Sequence, residues 1–595
     1  MDNTRDREAI SEDVFSAEGV ASVKSGDDIE RTSQILDEEV NKLRDQMPSL
    51  RIQNHLLCPV DRVPPELLAR IFVELVSVQP LAYRDCSPGL KLGWIVVTHV
   101  SRRWREIALQ HTVLWANVTL ALGSEWMDEM LVRSKSVDLN VQIEAGLACK
   151  VSSLQPHIAR TVHLRLQTEF ATGLQYRDSP ISQPAAMLET CHLSVTNCDH
   201  FDLPVNLFAS NAPRLRVLSL KTCAISWTRL GFSSLVDLSV VYPLECEWLS
   251  QRNRTAAYRS KLLQTLSRLP SLEHLTLIRS LPSQSGTILP TSGSRPDAAV
   301  PLLSLKSLSV DGDVTDIGAF LFILQLPPTC KLKVRCGSNS SSEMRQFSPL
   351  LPDLLRFLDK PFLRLDIRAP VQSIGNYQLV LWTSTNSWAD GPLLPAESEY
   401  SWYAGAQVPD LQIMFHSTVD FEDNNDNLGD DLGEESPNFR TASNARQLCA
   451  DLPLESLQVL DVFDELLVWK PEIWLSLFGG LKNLRHIRVN QGPGLSLARS
   501  FSKTLGESES SIHWGPESLS FPHLATVTIM AGLDMWYSTT PNYLDVLAKA
   551  LRHRKDSAAP LEGLYLQGYA KSTQQLISKY GIDKILPVFI GEDSP

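Results

Sequence analysis

The ten cysteines, spread from Cys58 to Cys449, include no Cys-x-x-Cys pair. That excludes the dense disulfide framework of a small secreted scaffold and fits a reducing compartment. A basic excess is also missing: 55 Lys and Arg stand against 68 Asp and Glu, for a net charge of −13. General DNA or RNA binders carry the opposite balance, so broad nucleic-acid binding is disfavoured. Long hydrophobic runs are absent. The longest, about Gly318–Leu326, falls far below the ~18 residues needed to span a bilayer. The opening MDNTRDREAISEDVF is polar and acidic, unlike a signal or transit peptide. These absences predict a soluble chain, cytoplasmic and/or nuclear, with no membrane partner.

Reactive constellations are lacking too. HExxH, the phosphate loop with its Gly-Lys-Ser/Thr, and the Gly-x-Ser-x-Gly elbow do not occur. Gly492-Pro493-Gly494 lacks a third glycine and reads as a turn. Cys191, His192, Cys198 and His200 come nearest to a zinc set, but the two cysteines are seven apart. Zinc wants close pairs, so these read as buried cysteines of a repeat. The expectation is a chain with no catalytic residues, cofactor or metal.

What is present is a large apolar content, 43% of 595 residues, enough for an extensive core. At ~150 residues per domain the length suggests about four domains, unless the chain repeats itself. Residues 1–27 are polar and read as disordered. Residues 28–55 read as an amphipathic helix, with Leu36, Val40, Leu43 and Met47 spaced 4, 3 and 4 on one face. The spacing predicts docking on the next domain. A dimerising coiled coil wants three or more heptads, and this stretch barely gives two.

Residues 56–118 predict a small helical domain. Pro64-Pro65-Glu66 suits a helix start, where proline fits the first turn and a carboxylate meets the positive dipole end. Leu67, Leu68, Ile71, Phe72, Leu75 and Val76 then form a wide apolar stripe. A loop follows from Gln79, and a second helix carries Val97, Val100, Trp104 and Ile107, before Leu114-Trp115. About 55 residues cannot bury two wide stripes alone. Either Leu67 and Ile71 or Leu68, Phe72 and Leu75 face a partner. Phe72 and Trp104 are the largest candidate anchors.

From about residue 119 short runs recur as L-x-x-L-x-(L/V). Strict copies begin at Leu215, Leu235, Leu272, Leu305 and Leu457; looser ones at Leu188, Phe362, Val408, Leu484, Leu524 and Leu561. Chance alone places three apolar residues so at roughly 0.08 of positions. The shared context says more. Ser234, Ser271, Ser304 and Ser456 directly precede the first leucine, and Pro213 and Pro270 stand two before it. A repeated turn-then-strand unit follows, with helices expected at Tyr258–Leu269, Leu350–Leu358 and Tyr543–Leu551. Loop insertions are expected at 280–301 and 417–445, the second holding the acidic stretch Asp420–Glu435. Arg552-His553-Arg554-Lys555 reads as the cationic end of a helix. Trp227, Tyr242, Trp248, Trp382, Trp388, Trp402 and Tyr403 are candidates for a target surface.

The ordered set VPPELLARIFVEL (63–75), VSRRWREIA (100–108) and LW (114–115) resembles an F-box. With a helix upstream and degenerate leucine-rich repeats downstream, the whole chain is similar to fungal F-box proteins. The loop 79–96 is longer than a compact F-box usually allows. The resemblance implies an α/β chain overall: a small all-α F-box domain, then an irregular leucine-rich-repeat solenoid over 119–595 with parallel strands on one face. It implies a substrate-recognition subunit of an SCF-type cullin–RING ubiquitin ligase. The F-box would bind a Skp-type adaptor, and through it a cullin, and the repeats an unknown protein target. Adaptor contacts would come from Pro64, Pro65, Leu67, Leu68, Ile71, Phe72, Leu75, Val100, Trp104 and Trp115. The alternative is a non-catalytic scaffold acting outside a ubiquitin ligase.

Overall fold

The computed structural model describes residues 26–57, 59–81, 92–145, 151–168, 179–196, 201–243, 256–282, 299–337, 345, 348–355, 357–369, 377–385, 409–415, 443, 446–464, 469–502, 520–530, 540–557, 559–567 and 573–591. The expected disordered N-terminus lies outside them apart from its last two residues, as do most of the two loop insertions and Trp248, Trp388, Trp402 and Tyr403. The chain divides into two compact units, Met1–Leu114 and Trp115–Pro595.

The first unit is helical. Helix α1 spans Gly26–Leu57, α2 Pro65–Val78 and α3 Arg102–Gln110. Pro65 stands in the first turn of α2, where its missing amide costs nothing. The second predicted helix is split. Gly93–His99 forms a 3₁₀ helix, and α3 begins only after Ser101, whose hydroxyl accepts the Trp104 amide at 3.2 Å. Val97 and Val100 therefore lie outside α3. Gly93 permits this arrangement: its φ is +50°, and an added Cβ would stand 2.7 Å from the Gln79 carbonyl oxygen. That carbonyl accepts the Trp94 amide at 2.9 Å, tying the 3₁₀ helix to the end of α2. Of the expected α1 stripe, Leu36, Val40 and Leu43 are exposed rather than docked, contrary to the sequence expectation, and the side chain of Met47 lies outside the described ones.

The second unit is built on one sheet of 17 strands. In chain order its strands are β1 (Asn117–Thr119), β2 (Leu139–Ala145), β3 (Thr161–Thr168) and β4 (Thr190–Val195). The short β5 (Phe201–Asp202) and β7 (Cys223–Ala224) pair apart from it, on either side of β6 (Val217–Lys221) in the chain. Then come β8 (Asp237–Val241), β9 (His274–Ile278), β11 (Ser307–Gly312) and β13 (Lys331–Cys336), while β10 (Val300–Pro301) and β12 (Leu324–Gln325) form another small pair. The rest are β14 (Arg364–Ala369), β15 (Tyr377–Trp382), β16 (Leu411–Phe415), β17 (Val459–Asp464), β18 (His486–Asn490), β19 (Thr526–Met530), β20 (Gly563–Gln567) and β21 (Val588–Gly591).

Pairing is parallel and follows chain order from β1 to β13 and from β17 to β21. Between them the order reverses. β16 pairs with β13, β15 runs antiparallel between β16 and β14, and β14 pairs with β17. The sheet is mostly parallel rather than wholly so. A mixed α/β chain with such a sheet and helices is consistent with a repeat solenoid.

All eleven L-x-x-L-x-(L/V) runs place their second and third slots in strands of this sheet, and every one of those side chains is buried. The register stacks them. Leu218 pairs with Leu238, then Leu275, Leu308, Leu332 and Leu411; Leu220 pairs with Val240, Leu277, Val310, Val334 and Ile413. Each fully buried Leu side chain stabilises by about 1.5–3 kcal/mol, so the two columns form the spine of the core. The serine and proline context also has a physical cause. The amides of Leu188, Leu215, Leu235, Leu272, Leu305, Leu457 and Leu524 each close a turn on the carbonyl three residues earlier. Proline at the second position of such a turn is pre-set in φ. Helices Ala256–Leu266 and Thr540–Asp556 fall where expected, while the predicted Leu350–Leu358 stretch holds, among the described residues, a 3₁₀ turn Ser348–Leu350 and a short helix Leu351–Leu354. Gly492-Pro493-Gly494 opens a helix, Gln491–Ser500, rather than making a turn. At Gly494 a Cβ would meet the Tyr543 hydroxyl at 2.8 Å, so a larger residue there would require that ring to shift.

Candidate partner-binding surfaces

On the helical unit, α2 divides its apolar stripe between two faces. Leu68 and Phe72 point inward and are at most 2% exposed. Phe72 packs on Trp104 with ring centroids 5.1 Å apart. The two expected anchors therefore hold each other, and Trp104 is only half-buried. Leu67 and Ile71 point outward, 52% and 54% exposed, with Val78 further along the helix. Pro64, Pro65 and Val100 are exposed as well, and Leu75 is half-buried. Trp115 corrects the sequence reading. It is fully buried in the second unit, with the Arg133 guanidinium 4.4 Å from its ring centroid, so it offers no surface to an adaptor. Leu68 and Phe72 are likewise core, not surface, residues. Arg105 stiffens the unit by donating to the Thr98 carbonyl at 2.7 Å, and Thr98 in turn donates to the Ile95 carbonyl at 2.8 Å. The outward side of α2 thus carries an exposed apolar face beside two prolines.

On the repeat unit, the side chains between the buried slots form the sheet's other face. In β2–β9 that face is open and polar: Asn140, Gln142, His163, Arg165, Thr190, His192, Ser194, Ser219, Ser239 and Thr276 are exposed or half-buried. His163 Nδ1 lies 2.8 Å from the Thr190 hydroxyl of the next strand, and His274 Nδ1 lies 2.7 Å from the Ser307 hydroxyl. Burial, with Arg165 nearby, lowers the His192 pKa despite the pull of Asp237. An open groove of about 550 Å³ runs along the N-terminal ends of strands β4–β11, with Glu189, Arg214, Arg216, Ser234, Ser271 and Glu273 among its lining residues. Glu273 accepts from Lys306 at 2.7 Å, which holds its carboxyl below the usual range. The groove's serines are those of the recurring turn; Ser234 also donates to the Leu215 carbonyl at 2.8 Å.

From β14 to β19 the same face is buried and charged. Asp366 and Asp461 sit directly opposite each other on β14 and β17, both fully buried. Three arginines hold them. Arg364 Nη2 lies 2.7 Å from Asp461, Arg488 Nη2 lies 2.9 Å from the same carboxylate, and Arg368 Nη2 lies 2.7 Å from Asp366. Burial alone would push the Asp461 carboxyl up; Arg488 and Arg364 outweigh it and hold the group below its ordinary value. Arg364 also stacks 4.6 Å from the ring centroid of Trp382, its partner across the β14–β15 pair. Trp382, Trp227 and Tyr242, read as surface candidates, are at most 3% exposed and belong to the interior. Arg554 departs from expectation similarly. It is 1% exposed and donates to the Ser520 and Phe521 carbonyls at 2.9 Å each, so it is an internal strut, not a solvated helix end. Burial lowers its pKa to about 10.

The described cysteines Cys191, Cys223, Cys330, Cys336 and Cys449 are buried and form no disulfide. Among the described residues no three His, Cys, Asp or Glu gather as a metal site would require. No described helix is long and apolar enough to cross a membrane.

No family model and no curated protein matches the sequence. Among solved structures, the leucine-rich repeat-containing protein LegL7 from Legionella pneumophila is similar at 12% identity, covering 60% of this chain and 82% of its own. Its TM-score is 0.24. At that value the likeness carries no argument, and the repeat reading rests on the strand register.

Proposed function

We propose that the chain is a non-catalytic substrate-recognition subunit of a cullin–RING ubiquitin ligase, its helical unit acting as an F-box for a Skp-type adaptor. The observation that carries this reading is the apolar face of α2. Leu67 and Ile71 lie more than half exposed beside Pro64 and Pro65, within the ordered F-box-like residues 63–75, 100–108 and 114–115. Such a face is costly in water and stabilised by a partner. The open polar face of β2–β9, with its groove, is then the surface for a protein target. The mechanism is proximity: holding a target near a ubiquitin-loaded enzyme raises its effective concentration.

The test is binding of the full-length chain to a purified Skp-type adaptor, followed by cullin. Leu67→Asp/Ile71→Asp places charge in the proposed contact and is expected to weaken binding about 100-fold, about 3 kcal/mol, with an unchanged melting temperature. Adaptor binding without cullin recruitment would favour a scaffold outside the ligase. No adaptor binding by the folded wild type would remove the ubiquitin-ligase reading.

A further inference from the structure

Helix α1 is 32 residues long, ~48 Å at 1.5 Å per residue, and the described part of its apolar stripe is uncovered. Leu36, Val40 and Leu43 are 58%, 49% and 59% exposed. Written as heptads, Leu36 and Leu43 fall at d and Val40 at a. In the sequence the same register runs through the whole helix: Ile29, Leu36, Leu43, Leu50 and Leu57 at d, and Ser33, Val40, Met47 and Asn54 at a. The seam is therefore more than twice the Leu36–Met47 stretch. Pro48 falls at b, off the seam, where it removes a backbone hydrogen bond and bends the helix between the two halves of the seam.

The flanking e column names the occupant. It reads Glu30, Asp37, Arg44, Arg51: acidic in the first half and basic in the second. Residues seven apart lie two turns away from each other along one helix and do not pair. An antiparallel partner sets e against e′. With Val40 at a facing Leu43 at d of the other chain, Asp37 meets Arg44 and Glu30 meets Arg51, each twice by symmetry. A parallel pair instead sets g against e′, and there only Glu39 finds an opposite charge, Arg44, five residues on. The column is complementary to itself when reversed, as a twofold interface requires.

We infer that α1 pairs with α1 of a second copy of this chain as an antiparallel two-stranded coiled coil. The dimer would present two helical units and two repeat sheets, giving bivalent engagement of any partner that carries two sites.

Sedimentation equilibrium of the full-length protein at tens of micromolar tests this. The wild type is expected at about twice 66.4 kDa, and Leu36→Asp/Leu43→Asp at 66.4 kDa. Because these side chains are exposed, the repeat unit should melt unchanged in both. Glu30→Arg/Asp37→Arg makes the e column wholly basic, and Arg44→Glu/Arg51→Glu makes it wholly acidic. Each alone is expected to be monomeric, and an equal mixture to restore the dimer. A monomeric wild type overturns the inference, as does a dimer that survives Leu36→Asp/Leu43→Asp. Self-association of the wholly basic variant at wild-type strength overturns the antiparallel pairing, because the parallel Glu39–Arg44 pair survives in that variant.

Discussion

The two stretches of the 17-stranded sheet share one face and differ on the other. In β2–β9 and in β14–β19 alike, the L-x-x-L-x-(L/V) slots stack into the same two buried columns. On the opposite face the first stretch shows water hydroxyls, amides, imidazoles and the Arg165 guanidinium, and the second buries two aspartates and two arginines, with a third, Arg368, half-buried. The same spine thus supports a surface left open to solvent and a surface already spent on the chain's own structure. The change begins at β11 and β13, where Asp311 and Arg335 are already buried and paired, and continues where, among the described residues, strand order reverses and β15 runs antiparallel. Repeats alone specify the spine; the intervening side chains decide what each stretch is for.

The sharpest way to break that comparison is to remove one carboxylate from each stretch. Asp461→Asn leaves Arg364 and Arg488 buried without their shared counter-ion, and is expected to cost about 3–5 kcal/mol. Asp237→Asn in the open stretch, where the side chain is half-buried, is expected to stay within about 0.5 kcal/mol. Urea unfolding of the two variants checks both. Equal costs would mean that the open face is as structural as the closed one.

A smaller effect separates the faces by volume. Thr528, on β19, is 2% exposed, so Thr528→Tyr overpacks and should cost about 1–3 kcal/mol. Ser219 on β6 is only half-buried, and Ser219→Tyr should change stability by less than about 0.5 kcal/mol. If the open groove and face bind a protein target, Ser219→Tyr should weaken that binding while Thr528→Tyr, at equal folded concentration, should not. Pull-down of any identified target with the two variants decides it.

Much of the spine was legible because burial on one face of a strand imposes a spacing that sequence shows directly. The turn before each strand was legible for the same reason: Pro213 and Pro270 stand where φ must be pre-set. Strand β15 was not. Tyr377–Trp382 is buried on both faces, so it shows no alternation, and its direction depends on pairing with distant segments. The charged cluster was also hidden, because Arg364, Asp366, Asp461 and Arg488 are scattered over more than 120 positions and meet only through register. At the helical unit the residues were visible but their sides were not. Leu67 and Leu68 are equally apolar neighbours, and only packing of Phe72 on Trp104 shows that Leu68 goes in and Leu67 out. The docking expected of α1 failed because an apolar stripe specifies a partner without saying which chain supplies it.

The smallest effect concerns one device that both stretches share. In the open stretch His163 meets the hydroxyl of Thr190, and in the closed stretch His486 meets that of Thr526, each at 2.8 Å across neighbouring strands. Burial, with Arg485 beside it, lowers the His486 pKa to about 4. As pH falls through the ordinary value of 6.5, the unfolded chain takes up a proton at this position and the folded chain does not. The contribution of His486 to stability is therefore complete above about pH 6.5 and is lost as pH falls toward about 4. Because the ring is half-buried rather than fully enclosed, the loss is about 1 kcal/mol and not the full value of the displacement. His486→Gln keeps a hydrogen-bonding side chain and removes the titration. Melting temperatures of wild type and variant, taken between pH 7 and pH 4, should run together near neutral pH and diverge in acid, the wild type falling below the variant. Parallel curves across that range would mean that the closed stretch does not shield its imidazole from the proton, and the contrast between the two faces would rest on the aspartates alone.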